Sequence, residues 1–284
     1  MVLPCCKVPH PARKLLCFVW YNLGNMHRAK EGLASLFLLS PARNMRPTAI
    51  PGVAPARPLF EGHTLRIVQE LRQYGPLELE SLLDTSPEKA MALVDAYQRF
   101  DRLGPGTPAL TTYSGLAFHN LAPGDFGGED FAFAQEHLRI LSALHGMLRP
   151  YDGIVPHRLG LDCRVRVEGQ DLYAFWGDAL YKALFPREDW VVSLASKEYM
   201  KLITPYLTPA DRMVFCTFYV QKPEGAKATP NSVKTARGQM ARFIIQHRID
   251  EPEGLKDFDW GGYRFIPGRS GMDKYVFTQQ RAWP

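Results

Sequence analysis

Leu33–Leu39 is a short, continuous apolar run that stops at Ser40-Pro41, the pattern of a buried strand followed by a turn. A Pro/Gly-rich connection from Pro47 to Pro58 leads to Leu65, Val68, Leu71 and Tyr74 at helical spacing, closed by Gly75-Pro76. Pro87 after Ser86 suits the first turn of a helix that carries Met91, Val94, Ala96 and Tyr97 and stops at Gly104 and Pro105. Between Glu129 and Leu148, the residues Phe133, Leu138, Leu141, Leu144, Met147 and Leu148 predict another helix, interrupted by Gly146 and closed by Pro150. Strict alternation over Cys163–Glu168 predicts a strand with one exposed face. Asp171 opens a helix to Leu184; Trp190–Ala195 and Met213–Val220 read as buried strands, with a short helix over Ser196–Ile203 between them. A loop over Gln221–Pro230 precedes a helix capped by Asn231 or Ser232 and running to about Ile249, and Tyr263–Phe265 and Tyr275–Phe277 are late strands. The fold class is mixed α/β (α+β): a central sheet flanked by helices in a single compact domain, with no internal repeat.

The chain has 284 residues, 46% of them hydrophobic, enough to bury a substantial core. It contains no apolar run of the ~18 or more residues that a membrane-spanning helix needs, so a soluble protein of the cytoplasm is expected. The formal net charge is +5, but Lys7, Arg13, Lys14, Arg28 and Lys30 against Glu31 place most of it in residues 1–32. That segment has a short apolar stretch broken at Asn22 and no small-residue cleavage site, which is poor anatomy for a signal peptide. Residues 1–32 are read as an extension outside the natural fold or upstream of the true start, and 33–284 as the domain. Cys5, Cys6 and Cys17 fall in the extension, leaving Cys163 and Cys216 in the body without ligand-like spacing. Neither a metal site nor a cofactor is expected.

With the extension set aside the body is near neutral, so the local distribution of charge matters more than its total. Between Phe218 and Arg248 stand Lys222, Lys227, Lys234, Arg237, Arg242 and Arg248 against Glu224 alone. On the helix in this stretch Ala236, Met240, Phe243, Ile244 and His247 share one side, and Lys234, Arg237, Arg242 and Arg248 spread over the other. Such a face is either ordinary solvated surface or a phosphate-binding surface. A second constellation, His137 to Leu159, offers backbone amides near Gly146 with Arg149 and Arg158 close by, a set suited to phosphate, or simply a helix ending at a glycine. Nucleophile-elbow, zincin, Walker and dinucleotide-binding signatures are missing. No catalytic residue is assigned; Asp152 and Asp178 are the candidate acid/base groups if the protein is an enzyme.

The order and identity of several segments resemble the YaaA family of bacterial peroxide-stress proteins. Ser40-Pro41-Ala42-Arg43 resembles that family's SPAK, Tyr113-Ser114-Gly115-Leu116 its YxGL, and residues 137–152 its HLRxLSGLYGxLRPxD. Asp171 to Asp178 is similar to DLYxFWGD, Ser193 to Tyr199 to NLASxEY, Lys234 to Ile245 to KKARGxMxRFII, and Gly262-Tyr263-x-Phe265 completes the series. Departures cluster at Ala143, His145, His157 and Gly160. The resemblance implies a cytoplasmic protein of the peroxide response that limits free iron and the DNA damage it causes. It also implies binding to DNA, double-stranded or with unpaired regions, through a basic cleft and a helix-hairpin-helix element, which we place at Leu144–Arg149. On that reading Lys234, Arg237, Arg242, Arg248, Gly146, Arg149 and Arg158 contact phosphate. The alternative is an enzyme acting on a nucleotide-like or phosphorylated small molecule in the same cleft.

Overall fold

In a computed structural model, residues 35–100, 103–185, 190–222 and 225–280 are described; the extension at 1–32 lies outside them. In chain order the elements are β1 (Leu36–Leu39), β2 (Asn44–Met45), α1 (Glu61–Leu71), α2 (Pro76–Leu83), α3 (Pro87–Gln98), β3 (Thr107–Pro108), α4 (Ala109–Thr112), β4 (Tyr113–Ser114) and α5 (Leu116–Leu121). There follow α6 (Gly128–His137), β5 (Leu138–Ser142), β6 (Gly146–Leu148), β7 (Gly153–Ile154), α7 (Leu172–Trp176), α8 (Ala179–Leu184), β8 (Val191–Ser193) and α9 (Lys197–Met200). The last are β9 (Met213–Lys222), β10 (Gly225–Lys227), α10 (Pro230–His247), β11 (Tyr263–Phe265) and β12 (Lys274–Gln279).

The main sheet runs β11-β12-β9-β8-β1-β5-β6, with β10 hairpinned onto β9. Strands β12, β9, β8, β1 and β5 are parallel, and antiparallel β11 and β6 form its two edges. All four residues of β1 are buried, as expected of a central parallel strand covered on both faces. Phe37 and Leu39 join Ile140, Val192, Val214 and Phe218 in a core under α5, α6 and α10. Leu36 and Leu38 point the other way, into a core shared with α1, α2, α3, α7 and α8. The result is one compact α/β domain with a mixed sheet between helical layers.

Taken in chain order, the five parallel strands lie 2-1-3-4-5 across the sheet. The chain leaves β1 to one side for β5 and returns to the other side for β8. Loops therefore diverge beyond the carboxyl ends of β1 and β8, the topological switch point at which open α/β sheets form binding crevices.

Several elements differ from the expectation. The predicted helix over Glu129–Leu148 stops at His137, and the remainder is the hairpin of β5 and β6, with Ser142 paired to Gly146. Leu144–Arg149 is thus the turn and return arm of a β-hairpin, not a helix-hairpin-helix. A run buried on both sides carries no period that separates strand from helix, and Gly146 at φ +68°, packed on Trp176 and Phe60, decides for the turn. Residues 163–168 do alternate, with Val165 and Val167 buried, but they form no ladder beyond a bridge from Val167 to Gln170. The helix foreseen from Asp171 to Leu184 breaks into α7 and α8 at Gly177, whose φ is +48°. Within the expected loop Gln221–Pro230, Gln221 and Lys222 and Gly225–Lys227 belong to the β9–β10 ladder, and Pro230 opens α10. No helix of the described residues is long and apolar enough to cross a membrane.

Candidate functional site

A cleft of about 800 Å³ opens at the switch point. Its walls are the segment after β1 (Ser40 to Asn44), the β4–α5 junction, residues 157–164, the start of α9 and the first half of α10, and the end of β5 forms part of its lining. The Ser196 N–H donates to Ser40 Oγ at 2.8 Å, tying the loops after β8 and β1 together across the crevice. Helix α10 begins with Thr229 and Ser232 capping each other and Pro230 at its first position, so the cap lies two or three residues earlier than expected. Its Gly238 lets the helix approach the α5 backbone at Ala117, which sets Lys234 and Arg237 on the cleft wall.

Arg237 is the distinctive group. It forms no ion pair among the described residues, and its Nε is buried without a hydrogen-bond partner. Desolvation pulls the guanidinium down to about 10, only weakly opposed by Cys216. Lys234 and Arg43 are exposed at the rim. Arg158 borders the same space, but its guanidinium donates to the carbonyls of Leu83 (3.1 Å) and Asp84 (2.7 Å), closing the C-terminus of α2. Facing these cations are Asp162 and Glu198; burial, then Asp162, pushes the Glu198 carboxyl up, with Arg43 opposing. Tyr113 and Ser142 complete the lining, the tyrosine hydroxyl buried beside Ser142 without a well-formed hydrogen bond.

The remaining residues expected to bind phosphate lie elsewhere. Arg242 pairs with Asp125 at 2.9 Å and Arg248 with Asp130 at 2.8 Å, pinning the far half of α10 to α6 and the turn before it. Arg149 clamps the fully buried Asp152 through its backbone N–H (2.8 Å) and Nε (3.1 Å). That carboxylate, raised mainly by burial, serves the turn after β6 and does not line the cleft. Asp178 sits at the start of α8 in a surface pair with Lys182 at 2.8 Å. Gly146 is sealed beneath Trp176. Arg43, Tyr113, Ser142 and Glu198 had escaped the residue-level reading, although each belongs to a segment that carries the family resemblance.

Beneath the cleft, the rings of His145 and His157 meet edge to face with centroids 5.0 Å apart. His157 Nδ1 donates to the Val155 carbonyl at 2.9 Å, and His145 Nδ1 contacts Thr64 Oγ1 at 3.3 Å. Burial lowers both, His157 to about 4 and His145 well below its usual value, the latter also repelled by His157. Unfolded histidine titrates near 6.5, so between about pH 6.5 and 4 the unfolded chain binds more protons and stability falls as the pH is lowered. For His157 alone, linkage gives a loss of about 2 kcal/mol between pH 7 and 5. Urea midpoints at these two pH values should show it, and a His145→Gln/His157→Gln variant, weaker at pH 7, should lose markedly less.

Burial raises both thiols, Cys216 to about 12, and at Cys163 the nearby Asp162 adds to the upward shift. Thiolate, the peroxide-reactive form, is disfavoured at each. Among the described residues, no three His, Cys, Asp or Glu side chains gather as a metal site would require.

The family model for peroxide stress protein YaaA matches residues 36–268. Proteins named UPF0246 are similar over nearly their whole length. One from Lactiplantibacillus plantarum is 36% identical over 244 residues, covering 86% of this chain and 98% of that protein. Another from Limosilactobacillus reuteri is 38% identical over 242 residues, 84% and 97% of the two chains. A third from Clostridioides difficile is 32% identical over 248 residues, 86% and 100%.

Proposed function

The chain belongs to the peroxide stress protein YaaA family, whose general role is in oxidative stress, and from that premise we propose that it binds DNA through the switch-point cleft, with Arg237 and Lys234 on backbone phosphates. Arg237 carries the reading. A guanidinium held in a low-dielectric wall without a carboxylate partner is costly, and a phosphate oxygen would supply the missing charge and acceptor. Contacts of this kind neutralise the backbone without reading bases, so binding is largely independent of sequence. Bound protein would shield DNA from iron-driven damage in the cytoplasm. The basic helix contributes only its first half, since Arg242 and Arg248 are already neutralised by Asp125 and Asp130.

The test is fluorescence anisotropy of a labelled duplex over a salt series. Lys234→Ala should weaken binding and reduce the salt slope by about one counterion, whereas Arg248→Ala, at the opposite end of α10, should leave the slope unchanged. Equal effects of the two substitutions, or affinity indifferent to salt, would sink the proposal.

A further inference from the structure

Three observations bear on what enters the deep part of the cleft. First, its hydrogen-bonding capacity is unfilled: Tyr113 is 4% exposed, and its hydroxyl and Arg237 Nε are buried polar atoms without partners, a condition that calls for a water or a ligand. Second, the donors and acceptors are sorted. Ser142 Oγ accepts the His145 N–H at 3.1 Å, leaving its own proton to donate. His157, neutral and with Nδ1 committed to a carbonyl, keeps Nε2 as an acceptor. These neutral groups suit a base edge or sugar hydroxyl. The cations stand apart on α10 and the segment after β1. Third, Asp162 and Glu198 on the facing wall repel any continued run of phosphates.

A duplex backbone, fixed on the outside of a stiff cylinder, meets Lys234, Arg43 and Arg237 but does not descend to Tyr113, Ser142 and His157. One phosphate with its sugar and base does, and about 800 Å³ is room enough for it. Resting on the same cleft as the DNA reading, we infer that the deep cleft is a site for a single nucleoside monophosphate unit, its phosphate on Arg237 and its uncharged part over Tyr113, Ser142 and His157. That unit is either a free nucleotide or the 5′-phosphorylated terminus of a strand.

The full-length protein is titrated calorimetrically with adenosine 5′-monophosphate, adenosine, and a 5′-phosphorylated or 5′-hydroxyl oligonucleotide, and the nucleotide is also competed against labelled duplex. The inference expects one saturable nucleotide site per chain, adenosine at least tenfold weaker, and Arg237→Met losing tenfold or more. Tyr113→Phe, which keeps the ring and the fold, should weaken the nucleotide several-fold while changing duplex affinity at the rim little. If only the 5′-phosphorylated oligonucleotide binds, the site stands and its source is a strand terminus. Duplex binding that depends on Lys234, without a nucleotide site of either source, overturns the inference and leaves the DNA reading intact. Adenosine binding as well as its monophosphate also overturns it. Failure of every nucleic acid and nucleotide removes both.

Discussion

Replacing Arg237 by methionine is expected to weaken duplex DNA binding about a hundredfold while making the protein more stable. The two effects share one cause. A largely buried guanidinium that lacks an ion-pair partner among the described residues, and whose Nε has no acceptor, has lost part of its hydration without compensation, and its downward shift to about 10 registers that cost. Methionine fills similar space with an adaptable apolar chain, and exchanging buried charge for apolar volume is commonly stabilising by about 1 kcal/mol or more. In a domain of this size that is a rise of roughly 2–4 °C in melting temperature. The same exchange removes a charge-assisted contact in a dry wall, worth about 3 kcal/mol when a phosphate occupies it. Thermal melts and anisotropy on one preparation decide the matter. Loss of both stability and binding would make Arg237 a structural residue and end its role as the phosphate anchor.

This opposition of stability and binding was hidden in the sequence, although the basic stretch was plain. Local charge counts every cation between Phe218 and Arg248 alike, whereas the fold cancels Arg242 and Arg248 with acids more than a hundred positions away. Only pairing partners separate a solvated or neutralised cation from an orphaned one, and those partners are set by α6 and the turn before it. The central strands were legible for a different reason. β1 and β8 are short apolar runs whose burial on both faces leaves them little other use, and the longer β9 is an apolar run that alternates buried with half-buried positions. The same property misled at Leu138–Leu148, where an equally buried run has leucines at spacings that satisfy a helix as well as a hairpin. The cleft was the least legible feature, because seven segments scattered from Leu39 to Arg237 form it. About half of its lining nonetheless falls inside segments that carry the family resemblance, among them 40–43, 113–116, 196–199 and 234–237. Motif identity thus marked a site that periodicity could not.

Gly238→Ala should be among the most damaging small substitutions in the protein, at about 3 kcal/mol. A Cβ at this position would lie 2.8 Å from the carbonyl carbon of Ala117 and closer still to its oxygen, and both belong to backbone that cannot rotate aside. Helix α10 must then move off α5, opening the core around Ala236 and Met240; overpacking of this kind costs about 1–3 kcal/mol and more where backbone is the obstacle. The displacement also carries Arg237, the preceding residue, away from the wall that α5 helps form, so duplex affinity should drop together with stability. Gly62→Ala supplies the contrast. It too is helical, in the first turn of α1, but nothing lies within 4 Å of its added methyl, so the alanine should stabilise by about 0.5–1 kcal/mol through helix propensity alone. Melting temperatures that fall for Gly238→Ala and rise for Gly62→Ala would establish that backbone contact between α5 and α10, and not glycine content, holds the phosphate-binding face in place. Equal tolerance of both would mean the two helices are free to separate, and the cleft would then have no fixed wall on which to hold Arg237.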